Sequence, residues 1–420
     1  MILFTTSKLN MIKIDSLINK DNNWLFSDNK FSQFMLFNEN SIIEKKSFYK
    51  NFSLISQIML SIIWIFLFYF FHFFTLKINL NKQKKNIIIF NFEEKQSTNK
   101  IFENNDFDSY HLINLLSKKE VLSIYKLRFY LLIKNTFFSI KETLKVHLKY
   151  SYPKEVRNIL LHNLDRRLAN IVIFNTLFNS LKNDKIECIV YSGGAYFPSY
   201  ASIKFKYHTY YYTHGLLGKI YKKIIPKFNK IYVFTKEEKK ELEILKLGIN
   251  IETYNYRKIQ NHKNNIIIYT RGVDDSFNDQ KQMKIFVNLV NFFKDQKFKI
   301  YVKKHPYYKG NFFNKINKDF TVLDYKNINN SEMLNMLKPK FIVSWYSTAI
   351  AEALYSSIIP INLSDNNDVK IKFKKIKITD WILFPILSKS LNWTKDFNKI
   401  AETINNEKYY YQILNYLLEK

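Results

Sequence analysis

The chain has 420 residues, of which 47% are hydrophobic and 17% aromatic. This length suits two domains of about 150–200 residues each, and the apolar content excludes a disordered protein. The formal net charge of +29 fits nucleic acid, an anionic membrane surface, or only the Lys- and Asn-rich composition of an AT-rich genome. Only six of the 65 basic residues are Arg and no nucleic-acid motif occurs, so we expect no nucleic-acid partner.

The N-terminal region, residues 1–80, contains an apolar segment at 54–76 without a single Asp, Glu, Lys or Arg. Its 23 residues are enough to span a bilayer, which takes about 20. Polar Gln57 and Ser61 make it less apolar than a usual span, so the segment predicts a spanning helix, an interfacial helix or a buried core helix. The first two place the protein on the cytoplasmic side of the inner membrane, and a single cysteine, Cys188, fits that reducing compartment.

Residues 81–255 form the first predicted domain. Its first strand is predicted at 86–92, and a helical region follows to about residue 180. Short apolar runs bounded by turn residues then predict further strands, followed by a charged helix at 236–246. These strands lie at 186–191, 208–213 and 230–234.

Residues 256–392 form the second predicted domain, in which apolar strands alternate with helices more plainly. Such alternation predicts βαβ units, a parallel sheet and a Rossmann-like α/β fold in each half of the chain. We expect the remaining tail, 393–420, to be helical and to pack across the first domain. The predicted strands are 266–269, 298–302, 341–344 and 358–363, and the predicted helices are 280–296, 331–337 and 348–355.

Candidate functional residues cluster just beyond the ends of these strands, where a doubly wound sheet places its ligands. His305-Pro306 follows the strand ending at Val302. The proline ends the strand, and the imidazole can donate to a phosphate oxygen. The alternative is a surface turn with an incidental histidine.

A second cluster, residues 344–348, precedes an Ala-rich helix. The hydroxyls of Ser344, Ser347 and Thr348 and the free N–H groups of the helix predict a phosphate site, although simple N-capping would explain Ser347 or Thr348 equally well. Glu352 lies one turn further and could accept a hydrogen bond from a ribose hydroxyl or be an exposed helix residue. Together with His305, this cluster predicts a nucleotide-sugar site.

Two further clusters supply candidate bases and a phosphate contact. His214-Gly215 follows the strand at 208–213, and the near-neutral pKa of histidine makes His214 a candidate general base. Arg271 follows the strand at 266–269 and suits phosphate. Asp274 and Asp275 are alternative bases or residues of a solvated loop.

The His305-Pro306 pair followed by Ser347-Thr348 resembles the His-Pro and Ser/Thr motifs of bacterial sialyltransferases and polysialyltransferases. That resemblance implies the two-domain GT-B fold, with two Rossmann-like domains facing across a cleft, and a CMP-sugar donor such as CMP-sialic acid. The His214-Gly215 pair is similar instead to that of the CDP-glycerol polymerases of teichoic acid synthesis. The sequence lacks the acidic base motif of the sialyltransferases, which leaves open a non-catalytic scaffold of polysaccharide assembly.

The mechanism predicted from these residues is a glycosyl transfer without metal or cofactor. His214 would deprotonate the acceptor hydroxyl, and His305, Arg271 and the hydroxyls at 344–348 would stabilise the leaving nucleotide phosphate. The expected partners are a nucleotide-sugar donor, a glycan or lipid-linked acceptor of capsule or lipooligosaccharide, and a membrane surface.

Overall fold

The structure is a computed structural model in which two compact units each contain one six-stranded sheet. Among the described residues, 234–238 and those from Thr253 onward belong to the second unit, and the others belong to the first. The structure describes residues 53–72, 86–91, 111–114, 129–149, 160–161, 163–181, 186–192, 196–213, 228–244, 249–270, 280–304, 319–323, 330–345, 348–363 and 389–419.

The first sheet has six strands in the order β2-β1-β3-β4-β5-β6. Its inner strands β1 and β3 are the longest, and the outer strands β2 and β6 have four residues each. The β1–β2, β1–β3, β3–β4 and β4–β5 pairs are parallel. Strand order reverses between β1 and β3, as in doubly wound folds. The strands are β1 (Asn86–Asn91), β2 (His111–Asn114), β3 (Ile186–Ser192), β4 (Thr209–Tyr212), β5 (Lys230–Val233) and β6 (Asn250–Thr253).

The helices described around this sheet are α1 (Leu54–His72), α2 (Phe129–Lys149), α3 (Leu164–Ser180), α4 (Tyr196–Lys204) and α5 (Lys236–Ile244). Helix α3 is the central helix, with 14 of its 17 residues buried, and α1, α2 and α4 all pack against it. Its polar residues are matched across the interface, since Asn135 donates to Thr176 at 3.3 Å and Asn175 donates to Ser139 at 3.4 Å.

The apolar segment predicted at 54–76 is helical over Leu54–His72. Its polar residues turn inward: the Gln57 side-chain oxygen accepts from the Leu164 N–H at 2.9 Å, and the Trp64 indole N–H donates to Asp165 at 3.1 Å. Gln57 and Ser61 are fully buried. Among the described residues, no helix is both long and apolar enough to cross a membrane, so the structure does not support the predicted span.

The second sheet has the order β12-β11-β10-β7-β8-β9, and each neighbouring pair is parallel. Counted from its own first strand, the order is the Rossmann order 3-2-1-4-5-6. Order reverses between β7 and β10, which form the switch point. The strands are β7 (Lys263–Tyr269), β8 (Lys299–Lys303), β9 (Thr321–Leu323), β10 (Pro339–Ser344), β11 (Ile359–Asn362) and β12 (Leu391–Asn392).

Helices cover both faces of this sheet because neighbouring residues of each strand point to opposite sides. Ile266 and Ile268 of β7 belong to a core with α6 (Gln280–Asp295), α9 (Phe397–Asn405) and α10 (Glu407–Glu419). Ile267 belongs to the opposite core. That opposite core is completed by α7 (Asn330–Leu337) and α8 (Ala349–Tyr355).

The tail predicted at 393–420 is helical and belongs to the second unit. The Tyr410 hydroxyl of α10 donates to the Lys340 carbonyl at 2.9 Å, and the Lys340 ammonium donates to the Ile404 carbonyl at 2.9 Å. The prediction that the tail packs across the first domain is therefore wrong. The apolar side of α10 is instead buried in the core of the second sheet.

Candidate functional site

The carboxyl ends of the second sheet form one row of polar residues. Tyr269 pairs in register with Lys303 on one side and with Ser344 on the other. Ser344 pairs in turn with Asn362. Because β7 and β10 flank the reversal of strand order, this row borders the place where doubly wound sheets bind ligands.

A hydrogen-bonded network joins this row to the helices behind it. The Asn330 side-chain oxygen, at the start of α7, accepts from the Lys303 ammonium at 2.6 Å and from the Tyr269 hydroxyl at 2.8 Å. The Asn330 amide in turn donates to the Glu352 carboxylate of α8. One amide therefore links a cation to an anion across three elements of the second unit.

Both charged members of this network are withdrawn from solvent. Lys303 is 6% exposed and Glu352 is 7% exposed, and the Lys303 ammonium lies 5.5 Å from the centre of the Tyr269 ring. Burial and the nearby Glu352 carboxylate raise the pKa of Tyr269 well above the usual value of a phenol. Tyr269 is therefore a neutral hydrogen-bond donor at physiological pH.

Buried charges are expensive to desolvate and are rarely retained for stability alone. An apolar pair of similar volume would often stabilise the same fold equally well or better. Charged groups withdrawn from water at a ligand-binding edge are candidates for function instead. The Lys303–Asn330–Glu352 network makes this edge the candidate site for a charged ligand.

Three of the predicted nucleotide-binding residues lie in the described structure. Ser344 ends β10 and is buried. Thr348 is the N-cap residue of α8, yet its side chain makes no capping hydrogen bond, which removes simple capping as the reason for a hydroxyl there. Glu352 is buried, so the alternative of an exposed helix residue is wrong.

The other predicted residues lie outside the described part of the chain. These are His214, Arg271, Asp274, Asp275, His305, Pro306 and Ser347. Their neighbours are described: Thr270 follows β7 and donates its N–H to the Lys303 carbonyl at 3.0 Å, and Lys304 follows β8. The roles of these seven residues therefore remain predictions.

Sequence reasoning missed Lys303, Tyr269 and Asn330. Lys303 is the first residue of the sequence Lys303-Lys304-His305-Pro306, and it is the last residue of the buried strand β8. That position could have indicated a functional role, but the sequence analysis selected His305 instead. Tyr269 has the same position on β7. Asn330 had no signal, because it is 61 residues from Tyr269 and 27 from Lys303 along the chain.

The corresponding edge of the first sheet is neutral and aromatic. Ser192 pairs in register with Tyr212, and the Tyr212 and Tyr232 rings stack with centroids 4.3 Å apart. The Thr213 hydroxyl donates to the Tyr232 carbonyl at 3.2 Å. These strand ends offer hydroxyls, and the charged residue buried beyond them is Glu238, whose carboxylate accepts hydrogen bonds from the Thr235 N–H and hydroxyl at the start of α5. Across the described part of both units, no group of three His, Cys, Asp or Glu side chains is placed to hold a metal ion.

Comparisons with known proteins give structural similarity alone. No family model and no curated protein matches the sequence. Similar solved structures include the glycotransferase of kitacinnamycin, at 7% identity and a TM-score of 0.43 over 79% of this chain and 94% of that chain. MurG of Acinetobacter baumannii has 8% identity and a TM-score of 0.40 over 80% and 94% of the two chains. The UDP-GlcNAc 2-epimerase of Neisseria meningitidis, bound to UDP-GlcNAc, has 11% identity and a TM-score of 0.39 over 79% and 94%. The function proposed below rests on the residues of the second sheet.

Proposed function

We propose that this chain is a glycosyltransferase whose nucleotide-sugar donor binds at the carboxyl end of the second sheet, between β7 and β10. The observation that carries the proposal is the buried Lys303–Asn330–Glu352 network at the switch point of that sheet. A cation and an anion held there by one amide suit a ligand with a phosphate at one end and hydroxyls at the other.

The phosphate of the donor is the group that Lys303 favours. As the glycosidic bond breaks, negative charge grows on the leaving nucleotide phosphate, and fixed donors that are already desolvated stabilise it most effectively. Lys303 supplies a positive charge, and Thr348 supplies a hydroxyl that does not cap its own helix. His305 lies two residues beyond Lys303 along the chain and is proposed to add a further donor.

The ribose of the nucleotide is the group that Glu352 favours. A carboxylate is an acceptor only, so it pairs with a vicinal diol rather than with a phosphate. Asn330 already satisfies one side of this carboxylate, which fixes its orientation before a ligand arrives. Such fixed orientation lowers the entropy lost on binding.

The acceptor hydroxyl requires a base, and His214 is proposed for that role. His214 follows Thr213 in the sequence, two residues beyond the end of β4. The proton passes from the acceptor oxygen to the His214 imidazole while that oxygen bonds to the anomeric carbon and the nucleotide leaves. On the resemblance of its motifs, we propose a CMP-sugar such as CMP-sialic acid as the donor and a capsule or lipooligosaccharide glycan as the acceptor.

The proposal is tested by thermal unfolding in the presence of CMP, CDP, UDP, GDP and ADP, with cytidine as the matched control. A ligand at a hundred times its dissociation constant stabilises the protein by about 2.7 kcal/mol. We expect CMP to stabilise the chain and cytidine, which lacks the phosphate, to stabilise it far less. Stabilisation by CDP above CMP would favour a glycerophosphotransferase. A complete absence of stabilisation across the panel would favour the non-catalytic scaffold.

A further inference from the structure

The outer surface of α1 is an exposed apolar face. Its exposed large side chains recur at helical spacing and point away from α3, and Ile55 and Met59 are 72% and 57% exposed. No Asp, Glu, Lys or Arg occurs anywhere in this helix. The exposed members are Ile55, Met59, Ile63, Phe66 and Leu67. Over 12 residues at about 1.5 Å per residue, this face is ~18 Å long.

Helix α2 continues this apolar surface. Phe129, at its start, lies 6.4 Å from the ring of Phe66 and 5.3 Å from the ring of Tyr69, measured between centroids. Phe66 and Phe129 are both exposed, so the exposed apolar side chains of the two helices meet at this point. The further exposed apolar residues of α2 are Tyr130, Ile133, Phe137, Phe138 and Leu148.

We call these exposed residues of α1 and α2 the α1–α2 face. It holds 11 of the 19 exposed large hydrophobic residues in the described part of the chain. Scattered exposed apolar residues are normal, whereas a contiguous patch of this kind marks a surface that docks onto something.

The charges around the α1–α2 face have one sign. Lys134, Lys141 and Lys145 are exposed on α2 between its aromatic residues. The one acidic residue of α2 is Glu142, and its carboxylate is 3.7 Å from the Lys204 ammonium. The exposed side of α2 therefore presents lysines and aromatic rings without an exposed carboxylate.

We propose that the α1–α2 face docks the protein onto an anionic lipid bilayer, lying in its interface without spanning it. Helices that lie in the interface combine an apolar face with lysines beside it, and each lysine near an anionic surface adds about 1 kcal/mol. Spanning is opposed by the other side of α1, where Gln57 and Trp64 are hydrogen-bonded to α3. The overall charge of +29 adds a long-range attraction to the same surface.

The test is flotation of the full chain with phosphatidylcholine vesicles, with and without about one third phosphatidylglycerol. We expect co-flotation with the anionic vesicles at low salt and little with the zwitterionic ones. The double variant Met59→Ser/Phe137→Ser should reduce the partition coefficient by about tenfold or more, because two large side chains no longer enter the interface. Lys134→Glu/Lys141→Glu should reduce it mainly on anionic vesicles.

The matched control is Ile244→Ser/Met336→Ser, which removes two equally exposed apolar residues, 64% and 58% exposed, outside the α1–α2 face. This control should float like the wild type. An unchanged melting temperature shows that each variant is folded, and nucleotide stabilisation, which does not involve this face, tests the proposed catalytic role separately.

Three outcomes would overturn the proposal. The first is a wild-type chain that does not float with anionic vesicles, and the second is an equal loss in the control variant. The third is a Met59→Ser/Phe137→Ser variant that floats like the wild type but has a different sedimentation mass in the absence of vesicles. That result would mean that the α1–α2 face joins two copies of the chain.

Discussion

The two sheets have the same architecture but differ at the edge where ligands bind. Each has six strands, parallel central pairs and one reversal of strand order. In the first sheet, the edge row holds Ser192, Tyr212 and Tyr232, with two stacked rings and no charge. In the second, the row holds Lys303 and is backed by Glu352, both of them buried.

This difference lies in the strand ends themselves, because buried charged side chains also occur away from the second sheet, at Asp165 and Arg167 of α3. A parallel sheet needs apolar strands on both faces and gains nothing from an ion at its edge. The first sheet demonstrates this, because its edge is satisfied by hydroxyls and stacked rings. The charged network of the second sheet is therefore an addition to the fold, and we expect it to serve a charged ligand.

The largest expected effect comes from removing the buried cation. Lys303→Met should lower turnover by about 10²–10³-fold, because a preorganised donor to the leaving phosphate is lost. The matched control is Lys299→Met, at the exposed opposite end of β8, which should leave turnover unchanged. Steady-state kinetics with the donor identified by the nucleotide screen provides the measurement.

A double variant separates function from stability at the same network. Lys303→Met leaves the Glu352 charge buried and should destabilise the fold by about 3–5 kcal/mol. Adding Glu352→Gln removes that charge and should recover part of the free energy of unfolding, measured in urea. Turnover should not recover with it. Recovery of both together would mean that Lys303 acts only through stability.

The comparison of the two sheets also shows which parts of the fold the sequence could predict. Every central strand was predicted from its apolar run, including β3, β7 and β10. The four strands that were missed, β2, β6, β9 and β12, are the outer strands of the two sheets. Outer strands have one neighbour and little to bury, and the sequences of these four hold only one or two apolar residues each. The equally short β4, β5 and β11 were found because each lies within a longer predicted run.

Turns that lack glycine did not displace the predicted helix ends, which lie within one residue of the ends of α6, α7 and α8. Each of these helices is followed within two residues by a residue with positive φ, namely Lys297, Lys338 and Ser357 at 59°, 44° and 65°. Glycine usually marks such a helix end, but this chain has only seven glycines. The ends of these helices were therefore located from the apolar pattern and, for α7, from Pro339 just beyond it.

The sequence predicted which edge of the sheet holds the candidate site, but it did not predict the hydrogen-bonded network of Lys303, Asn330 and Glu352. Strand ends point to the carboxyl edge of a sheet by topology, which is how Ser344 and Glu352 were chosen. Asn330 belongs to a different element, and only the folded chain brings its amide between Lys303 and Glu352. Contacts of this kind follow from three-dimensional packing and have no local sequence signal.

A smaller effect is expected for the histidine predicted beyond β8. His305→Ala should lower turnover by about 10²-fold, because one donor to the leaving phosphate is lost while Lys303 remains. The His305→Gln variant, which keeps a donor at a similar reach, should retain part of the activity. A change of less than about threefold in the alanine variant would reject a role for His305 in catalysis.

The smallest expected effect lies at the opposite, amino end of the second sheet. His262 precedes β7 and is half-buried, with its ring centroid 5.3 Å from that of Tyr410, and its Nε2 atom is buried without a hydrogen-bond partner in the described structure. Burial lowers the pKa of His262 below its usual 6.5, and the nearby Lys340 lowers it further against the opposing effects of Ser357 and Glu407.

The sign of the pH dependence follows from proton binding in the two states. Above pH 6.5, His262 is neutral in both states and has no effect. As the pH falls below that value, the unfolded chain binds a proton that the folded chain does not, so the free energy of unfolding decreases until the folded pKa is reached. The His262→Gln variant should therefore lose less free energy of unfolding on acidification than the wild type. We expect this difference to be under about 1 kcal/mol because the ring is partly exposed.

Urea unfolding of the wild type and of His262→Gln at neutral and mildly acidic pH measures this difference. The nucleotide affinity of the same two proteins shows whether the effect is confined to stability. Because His262 lies at the end of β7 remote from Tyr269, its replacement should change stability in acid and leave nucleotide binding unaltered. Lys303→Met should have the converse profile, with nucleotide binding lost at every pH. If His262→Gln also weakened nucleotide binding, the two ends of the sheet would be coupled, and the carboxyl edge could not be treated as a separate site.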